Sequence, residues 1–102
     1  MRENELQGRL LKRLRAKGGL WDNNHGSAFS GGGRFDITGC VDGQHVSIEL
    51  KAPGKYTPVT AGLTPAQWAY YHRAQHNGSL CLVGDNEDYI IDILEREVYA
   101  KD

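Results

Sequence analysis

The spacing of apolar residues near the start of the chain predicts an amphipathic helix from Glu3 to about Lys17. Leucines recur there every three or four residues, which places them on one face of a helix. The stripe consists of Leu6, Leu10, Leu11 and Leu14. Gly18 and Gly19 follow directly and are expected to end the helix.

Two glutamates in the first turn of this helix point in different directions. At about 100° per residue, Glu3 lies on the leucine stripe together with Gln7, whereas Glu5 points about 165° away from its centre. A carboxylate on the buried face of a helix start either has a specific partner or only favours the helix dipole. The spacing leaves both interpretations of Glu3 open.

A strict alternation of apolar and polar residues on both sides of Asp42-Gly43 predicts a β-hairpin. If these two residues form the turn, Val41 pairs with Gln44, and Asp36 lies opposite Glu49. Side chains alternate between the two faces of a strand. The predicted apolar face carries Phe35, Ile37, Val41, Val46, Ile48 and Leu50, and the other face carries Asp36, Thr38, Ser47, Glu49 and Lys51.

Two segments lack periodicity and are expected to be loops. Asp22 to Gly33 is rich in Gly, Ser and Asn, a composition typical of a flexible connection. Ala52 to Gly62 contains prolines, which cannot donate to a strand ladder. The first loop leads into the strand of Asp36, and the second follows Lys51.

The next helix is predicted from its start signals. Thr64 is a suitable N-cap, Pro65 occupies the first helical position, and the helix is expected to run to about Gln75. Thr64 and Gln67 have the spacing of a capping box, which explains Gln67 in purely structural terms.

A short apolar run from Ser79 to Gly84 predicts a buried strand. Asp85 to about Arg96 has helical spacing of its apolar residues, although a strand from Tyr89 to Ile93 also fits because tyrosine and β-branched residues favour strands. The resulting order is α-β-β-α-β-α. It predicts a compact α/β domain with a small mixed sheet flanked by helices.

Composition limits the class of protein. A length of 102 residues suits one domain, residues 1–102. No apolar run approaches the ~20 residues of a membrane span, and the start of the chain lacks the apolar core of a signal peptide. We therefore expect a cytoplasmic protein that is not secreted and does not contact membranes. The net charge of −1 does not indicate a nucleic-acid-binding protein by itself.

The cysteines and histidines offer no zinc-site pattern. Cys40 and Cys81 are far apart in the sequence and lack a partner at zinc-ligand spacing, so we expect structural thiols. Only His72 and His76 share a helical face, which is expected to be a solvated surface.

The predicted hairpin places two carboxylates opposite each other. Like charges in that position are destabilising, so Asp36 and Glu49 require a partner such as a divalent cation. Lys51 lies two residues beyond Glu49 on the same face, roughly 7 Å along the strand, where its ammonium can reach a group held by the metal. The alternative is a solvated polar face with an incidental Glu/Lys pair.

These residues resemble the motif of the PD-(D/E)xK nuclease superfamily, with Asp36 as the aspartate and Glu49-Leu50-Lys51 as the E-x-K. The chain is similar in particular to a stand-alone VRR-NUC (virus-type replication-repair nuclease) domain. The resemblance extends to the opening E-x-x-L-Q, the Leu63–Gln67 helix start and the Asn77-Gly78 turn. Phe35 departs from the superfamily pattern, which has proline at that position.

The resemblance implies a restriction-endonuclease-like core and a role for each motif residue. Asp36 and Glu49 would bind a metal directly, the backbone carbonyl of Leu50 would add a ligand, and Glu3 would bind directly or through water. An all-oxygen ligand set suits Mg²⁺ or Mn²⁺. Lys51 would position the attacking water, and Gln67 would belong to the active site, in competition with its capping role.

The expected substrate is DNA. Exposed loop residues near the E-x-K and basic residues of the first helix are the candidate substrate contacts. They are Arg34, Lys55 and Tyr56 in the loops, and Arg9, Lys12 and Arg13 in the helix. The resemblance implies a structure-selective endonuclease of phage or DNA-repair type, acting as a homodimer on branched DNA such as a Holliday junction, in the cytoplasm of a host or virus-infected cell. The alternatives are flap or restriction-like cleavage, and a catalytically silent domain that binds DNA or a replication partner.

Overall fold

The computed structural model describes residues 1–24 and 33–100. In this part of the chain, three α-helices pack on one mixed four-stranded sheet. The α-helices are α1 (Glu3–Lys17), α2 (Pro65–His76) and α3 (Glu87–Leu94), and the strands are β1 (Leu20–Asn23), β2 (Ile37–Val41), β3 (Gln44–Leu50) and β4 (Leu80–Gly84). A 3₁₀ turn spans Val59–Gly62, and a π-helical turn, Glu95–Tyr99, continues α3. None of these helices has the length and apolar character needed to cross a bilayer.

The predicted hairpin and its register are confirmed. β2 and β3 pair antiparallel from Val41↔Gln44 to Ile37↔Ile48. Both turn residues have positive φ, 48° at Asp42 and 85° at Gly43, as a type I′ turn requires. β4 then pairs parallel to β3 at the opposite side from β2.

The predicted element order was wrong in one respect, because a strand precedes the hairpin. The start of the segment predicted to be a loop from Asp22 to Gly33 belongs to β1, which pairs antiparallel with β2. Four residues are too few to show alternation, so only pairing with β2 reveals this strand. Trp21 anchors it over Gly39, where a Cβ atom would lie 2.3 Å from the indole ring. Residues 25–32 of the predicted loop lie outside the described residues.

The sheet buries a different cluster on each face. The larger cluster joins the leucine stripe of α1 to α3 and to apolar residues of β2 and β3. The smaller cluster lies under α2 and contains Phe35, Leu63, Cys81 and Val83. The prediction that Phe35 shares a face with Ile37 was therefore wrong. The chain bends at Asp36, before β2 begins, so the strand alternation does not extend back to Phe35.

The other helix predictions are confirmed within a few residues. α2 begins with the predicted capping box, in which Thr64 Oγ1 accepts from the Gln67 N–H and Gln67 Oε1 accepts from the Thr64 N–H. The segment with two interpretations is helical in α3 rather than a strand. Asn86 caps α3 through a bond from the Tyr89 N–H.

Candidate functional site

One face of β3 and one face of α2 meet in a line of polar contacts. His45, Ser47 and Glu49 occupy alternate positions of β3 and therefore share a face. Along α2, Gln67 bonds to Glu49 and Tyr70 bonds to Ser47. We call this line the α2–β3 seam. It argues against the alternative of a solvated polar face, because α2 covers this face of β3 and leaves Ser47 fully buried.

Three carboxylates converge at the end of the seam where β3 ends. Glu3 comes from the first turn of α1, Asp36 from the bend before β2, and Glu49 from β3. One oxygen from each lies within 4.8 Å of the others. Glu5, by contrast, is exposed and forms an ion pair with Arg2 at 3.3 Å. The helical wheel thus distinguished correctly which glutamate faces the sheet.

Asp36 and Glu49 are held by reciprocal bonds across the open end of the hairpin. Beyond the last strand pair, the Asp36 N–H donates to Glu49 Oε1 at 3.1 Å, and the Leu50 N–H donates to Asp36 Oδ2 at 3.0 Å. Side-chain carboxylates thus take the place of backbone carbonyls where the strands diverge. These bonds orient both carboxylates, and they place the backbone of Leu50 beside the cluster.

Glu49 is the most deeply buried of the three acids, with 2% of its surface exposed. Burial, and next the negative charge of Asp36, raise the pKa of Glu49 from 4.5 to about 7, against the opposing effect of Lys51. A buried carboxylate beside another one is costly without a cation. A divalent ion would offset both causes of the raised pKa.

Lys51 and Gln67 complete the constellation. The Lys51 ammonium lies 3.1 Å from Glu49 Oε2 and donates to Gln67 Oε1 at 3.2 Å. Gln67 Nε2 donates to the same Glu49 oxygen at 2.8 Å. Capping and site contacts do not compete for Gln67, since its carbonyl oxygen accepts from both Thr64 and Lys51 while its amide nitrogen reaches Glu49.

Sequence analysis did not predict the hydrogen bonds by which Asn24 and Gln7 support the segment around Asp36. The Asn24 N–H donates to the Asp36 carbonyl at 2.8 Å, and the Asn24 side chain donates to the carbonyl of Phe35 and to Thr38 Oγ1. Gln7, which is 3% exposed, donates to Asn23 Oδ1 at 2.6 Å. A glutamine on the leucine stripe was the one available signal, because Asn23 and Asn24 fell within the predicted loop.

The candidate substrate contacts in loops lie close in sequence to residues of this cluster. Arg34 is exposed, two residues before Asp36. Lys55 is exposed in the loop after Lys51, and its ammonium lies 5.4 Å from the centroid of the Tyr56 ring. The Tyr56 ring packs against Gly62, where a Cβ atom would lie 2.6 Å from it. Their role in binding a substrate stays a prediction.

The candidate contacts on α1 have acidic partners on α3. Arg9 forms an ion pair with Glu87 at 2.9 Å, and Arg13 pairs with Glu87 at 3.0 Å and with Asp88 at 2.7 Å. Hydrogen bonds to these acids raise the pKa of Arg13. Lys12 is exposed. Arg9 and Arg13 are therefore paired with acids of α3 rather than with the carboxylate cluster.

The cysteines and the paired histidines are placed as structural groups. Cys81 is a buried free thiol of the smaller core, and burial raises its pKa, while Cys40 is a partly buried free thiol. His72 stacks on Trp68 on the outer side of α2, and His76 is exposed in its last turn. Within residues 1–24 and 33–100, the carboxylate cluster is the one group found that has the donors of a metal site.

The donor set fits a hard divalent cation. Carboxylate oxygens are the ligands that Mg²⁺ and Mn²⁺ prefer. Two oxygens bound to one Mg²⁺ at about 2.1 Å lie about 3.0 Å apart when adjacent and about 4.2 Å apart when opposite, so these side chains would draw together around an ion. Glu3, Asp36 and Glu49 would hold it, with the predicted Leu50 carbonyl beside them.

Comparison of the chain with protein-family models, with curated proteins and with solved structures finds no match in any of the three.

Proposed function

We propose that this chain is a Mg²⁺- or Mn²⁺-dependent endodeoxyribonuclease of the PD-(D/E)xK superfamily, similar to a VRR-NUC domain. The observation that carries the proposal is the convergence of Glu3, Asp36 and Glu49 within 4.8 Å of one another, with the Lys51 ammonium 3.1 Å from Glu49. The four-stranded mixed sheet with helices on both faces is consistent with a restriction-endonuclease-like core.

The residues divide the work of phosphodiester hydrolysis. A bound divalent ion supplies Lewis-acid stabilisation for the charge that develops on the phosphoryl oxygens. Glu3, Asp36 and Glu49 hold that ion, and Gln67 fixes the orientation of the Glu49 carboxylate. An ammonium has three N–H donors, and the bonds of Lys51 to Glu49 and Gln67 leave one for the attacking water or the phosphate. The water oxygen adds to phosphorus and releases a proton to solvent, the bond from phosphorus to the leaving sugar oxygen breaks, and that oxygen takes up a proton from solvent.

The proposed substrate is branched DNA. The cluster offers contacts to phosphate oxygens and none that would distinguish one base from another, so selectivity would come from DNA shape. Cutting a four-way junction requires two related incisions, and the described part of the chain holds one such cluster. A two-fold homodimer is therefore the proposed active form.

A catalytically silent DNA-binding domain is the second candidate. The contacts of Glu49 with Lys51 and Gln67 favour it, because a carboxylate already paired with an ammonium and an amide has less need of a metal. The nuclease and the catalytically silent domain are distinguished by one observable: only the nuclease cleaves DNA in the presence of metal.

The test is cleavage of labelled four-way junction, flap and linear duplex DNA in Mg²⁺, Mn²⁺ or EDTA. Asp36→Asn is the matched variant, and Asp92→Asn, an exposed aspartate of α3, is its control. Metal-dependent cutting of the junction that Asp36→Asn abolishes and Asp92→Asn retains would support the proposal. Absence of cutting on every substrate by the folded protein in metal would contradict it and favour the silent domain. Cutting of flap or linear duplex alone would retain the nuclease and exclude the resolvase.

A further inference from the structure

The α2–β3 seam ends, opposite the carboxylates, in a cavity of about 340 Å³. It is an open groove where the last turn of α2 meets the starts of β3 and β4. Its volume is near the lower limit of ordinary small-molecule pockets, which suits a phosphate group with part of its sugar. The lining residues are His45, Tyr70, Arg73, Ala74, Asn77 and Ser79.

The cavity carries positive charge and no carboxylate in its lining. Arg73 is exposed, and none of the ion pairs within the described residues involves its guanidinium. On α1, in contrast, Arg9 and Arg13 pair with acids of α3, and Lys17 pairs with Glu95 of the π-helical turn. A planar guanidinium offers N–H donors in the geometry that phosphate oxygens accept.

A chain of hydrogen bonds leads from the cavity into the protein and back to it. His45 Nδ1 lies 2.7 Å from Ser79 Oγ, which lies 3.0 Å from Ser47 Oγ, which lies 3.0 Å from the Tyr70 hydroxyl. If Nδ1 donates, each hydroxyl donates to the next, and the Tyr70 O–H is left to donate outside the chain. If Nδ1 accepts, the direction reverses and the His45 Nε2–H is left instead. Either direction presents a donor at a residue that lines the cavity.

The end of α2 would ordinarily disfavour an anion, because helix C-termini carry partial negative charge. Here the terminal carbonyls have local donors. The Arg73 carbonyl accepts from the Asn77 side chain at 2.8 Å, and the Ala74 carbonyl accepts from the Ser79 N–H at 2.9 Å. The Gly78 N–H donates to the Gln75 carbonyl at 3.1 Å. These bonds reduce the negative potential that the guanidinium must overcome.

We propose that this cavity binds a phosphate group of a nucleic-acid strand, through Arg73, His45 and Tyr70. The inference rests on the proposed function, since it assigns part of the same substrate to a second contact. His45 and Glu49 are four residues apart on one strand face, which is about 13 Å. A DNA strand carries one phosphate per 3.4 Å of axis, so this distance corresponds to about four nucleotides.

The test is binding in EDTA, which does not depend on catalysis. Anisotropy of a fluorescein-labelled four-way junction would be titrated with wild type, Arg73→Ala, Arg73→Lys and Arg96→Ala, across a range of salt. Arg96 is an exposed arginine of the π-helical turn and serves as the charge-matched control. We expect Arg73→Ala to weaken binding about tenfold and to reduce the slope of log K against log salt by about one. Arg73→Lys should lie between Arg73→Ala and wild type, and Arg96→Ala should match wild type within about twofold.

A second titration separates the two sources of a phosphate. Inorganic phosphate added to ¹⁵N-labelled protein should shift the amide signals of Asn77 and Ser79 in wild type and leave them unchanged in Arg73→Ala. Shifts by inorganic phosphate without any effect of Arg73→Ala on junction binding would overturn the strand assignment in favour of a free phosphate ligand. Equal effects of Arg73→Ala and Arg96→Ala, or a lower melting temperature as the only effect of Arg73→Ala, would overturn the site.

The outcome is separable from that of the proposed function. If junction binding depends on Arg73 but the protein never cuts DNA in the presence of metal, the proposed nuclease function is contradicted and the proposed phosphate contact is supported. Cleavage that Arg73→Ala leaves unchanged in both KM and kcat would retain the nuclease and overturn the contact.

Discussion

The two ends of the α2–β3 seam share one scaffold and carry opposite chemistry. At one end, the start of α2 and the end of β3 place Gln67 against Glu49 and collect negative charge. At the other, the end of α2 and the start of β3 place Arg73 and His45 around a cavity without carboxylates. One strand and one helix thus carry the proposed cation site and the proposed phosphate site, about 13 Å apart. A chain with a net charge of −1 can still hold, among its described residues, an unpaired arginine beside a cavity that has no carboxylate in its lining.

The largest effect is expected from removing the ammonium at the acidic end. Lys51→Ala should lower the cleavage rate by roughly 10³-fold or more, because a group that positions the nucleophile and offsets phosphate charge acts mainly in the transition state. Single-turnover cleavage of the junction measures this. Junction binding in EDTA should change little. The control is Lys17→Ala, which removes the ion pair between Lys17, at the end of α1, and Glu95. Retained cleavage in Lys51→Ala would contradict the mechanism.

The raised pKa of Glu49 gives the acidic end of the seam a pH dependence. The folded metal-free protein binds the Glu49 proton more tightly than the unfolded chain does. The stability that this protonated carboxyl contributes is therefore fully present below pH 4.5 and is lost as pH rises through about 7. For a shift from 4.5 to about 7, the loss is on the order of 3 kcal/mol. Urea unfolding in EDTA at several pH values measures it.

Glu49→Gln should flatten this pH dependence, since an amide does not titrate. In the wild-type protein, saturating Mn²⁺ should recover the stability that is lost at pH above 7, because the ion binds the ionised Glu49 carboxylate. A slope that persists in Glu49→Gln would show that another group causes it.

The next effect separates the two glutamates of the first turn. Glu3→Ala should weaken Mn²⁺ binding and metal-dependent cleavage by about 10- to 100-fold, the range typical of residues that support a metal site. Glu5→Ala should be nearly silent, because that carboxylate is exposed and paired only with Arg2. Calorimetric titration with Mn²⁺ measures both variants, and the reverse pattern would contradict the position of α1 in the site.

The smallest effect separates the two roles of Gln67. Thr64→Ala and Gln67→Ala each remove half of the capping box and should each lower stability by about 1 kcal/mol. Only Gln67→Ala also releases Glu49 and Lys51, so only that variant should slow cleavage. Thermal unfolding and cleavage measured in parallel test this, and equal cleavage by the two variants would reduce Gln67 to a cap.

Local patterns predicted much of the acidic end. The leucine stripe oriented Glu3, the Asp42-Gly43 turn set the register of Asp36 and Glu49, and the capping box located Gln67. Each signal spans only a few residues, so it can be detected in one sequence. The function assigned to these residues stays a proposal.

The features that sequence analysis missed depend on contacts between distant segments. β1 is a strand because β2 pairs with it, Phe35 changes face because the chain bends at Asp36, and Asn24 supports Asp36 from the residue that follows β1. The cavity at the other end likewise combines residues from β3, from α2 and from the turn that joins α2 to β4. Nothing in the spacing of Arg73 and His45 along the chain indicates that they meet.

The most direct test of the central claim is the position of Mn²⁺ in crystals soaked with that ion. The account predicts an anomalous peak at the acidic end of the seam, with carboxylate oxygens of Glu3, Asp36 and Glu49 at roughly 2.1–2.2 Å, near the distance typical of octahedral divalent ions. No peak there at millimolar Mn²⁺ and pH above 7, or a peak held by other residues, would contradict it.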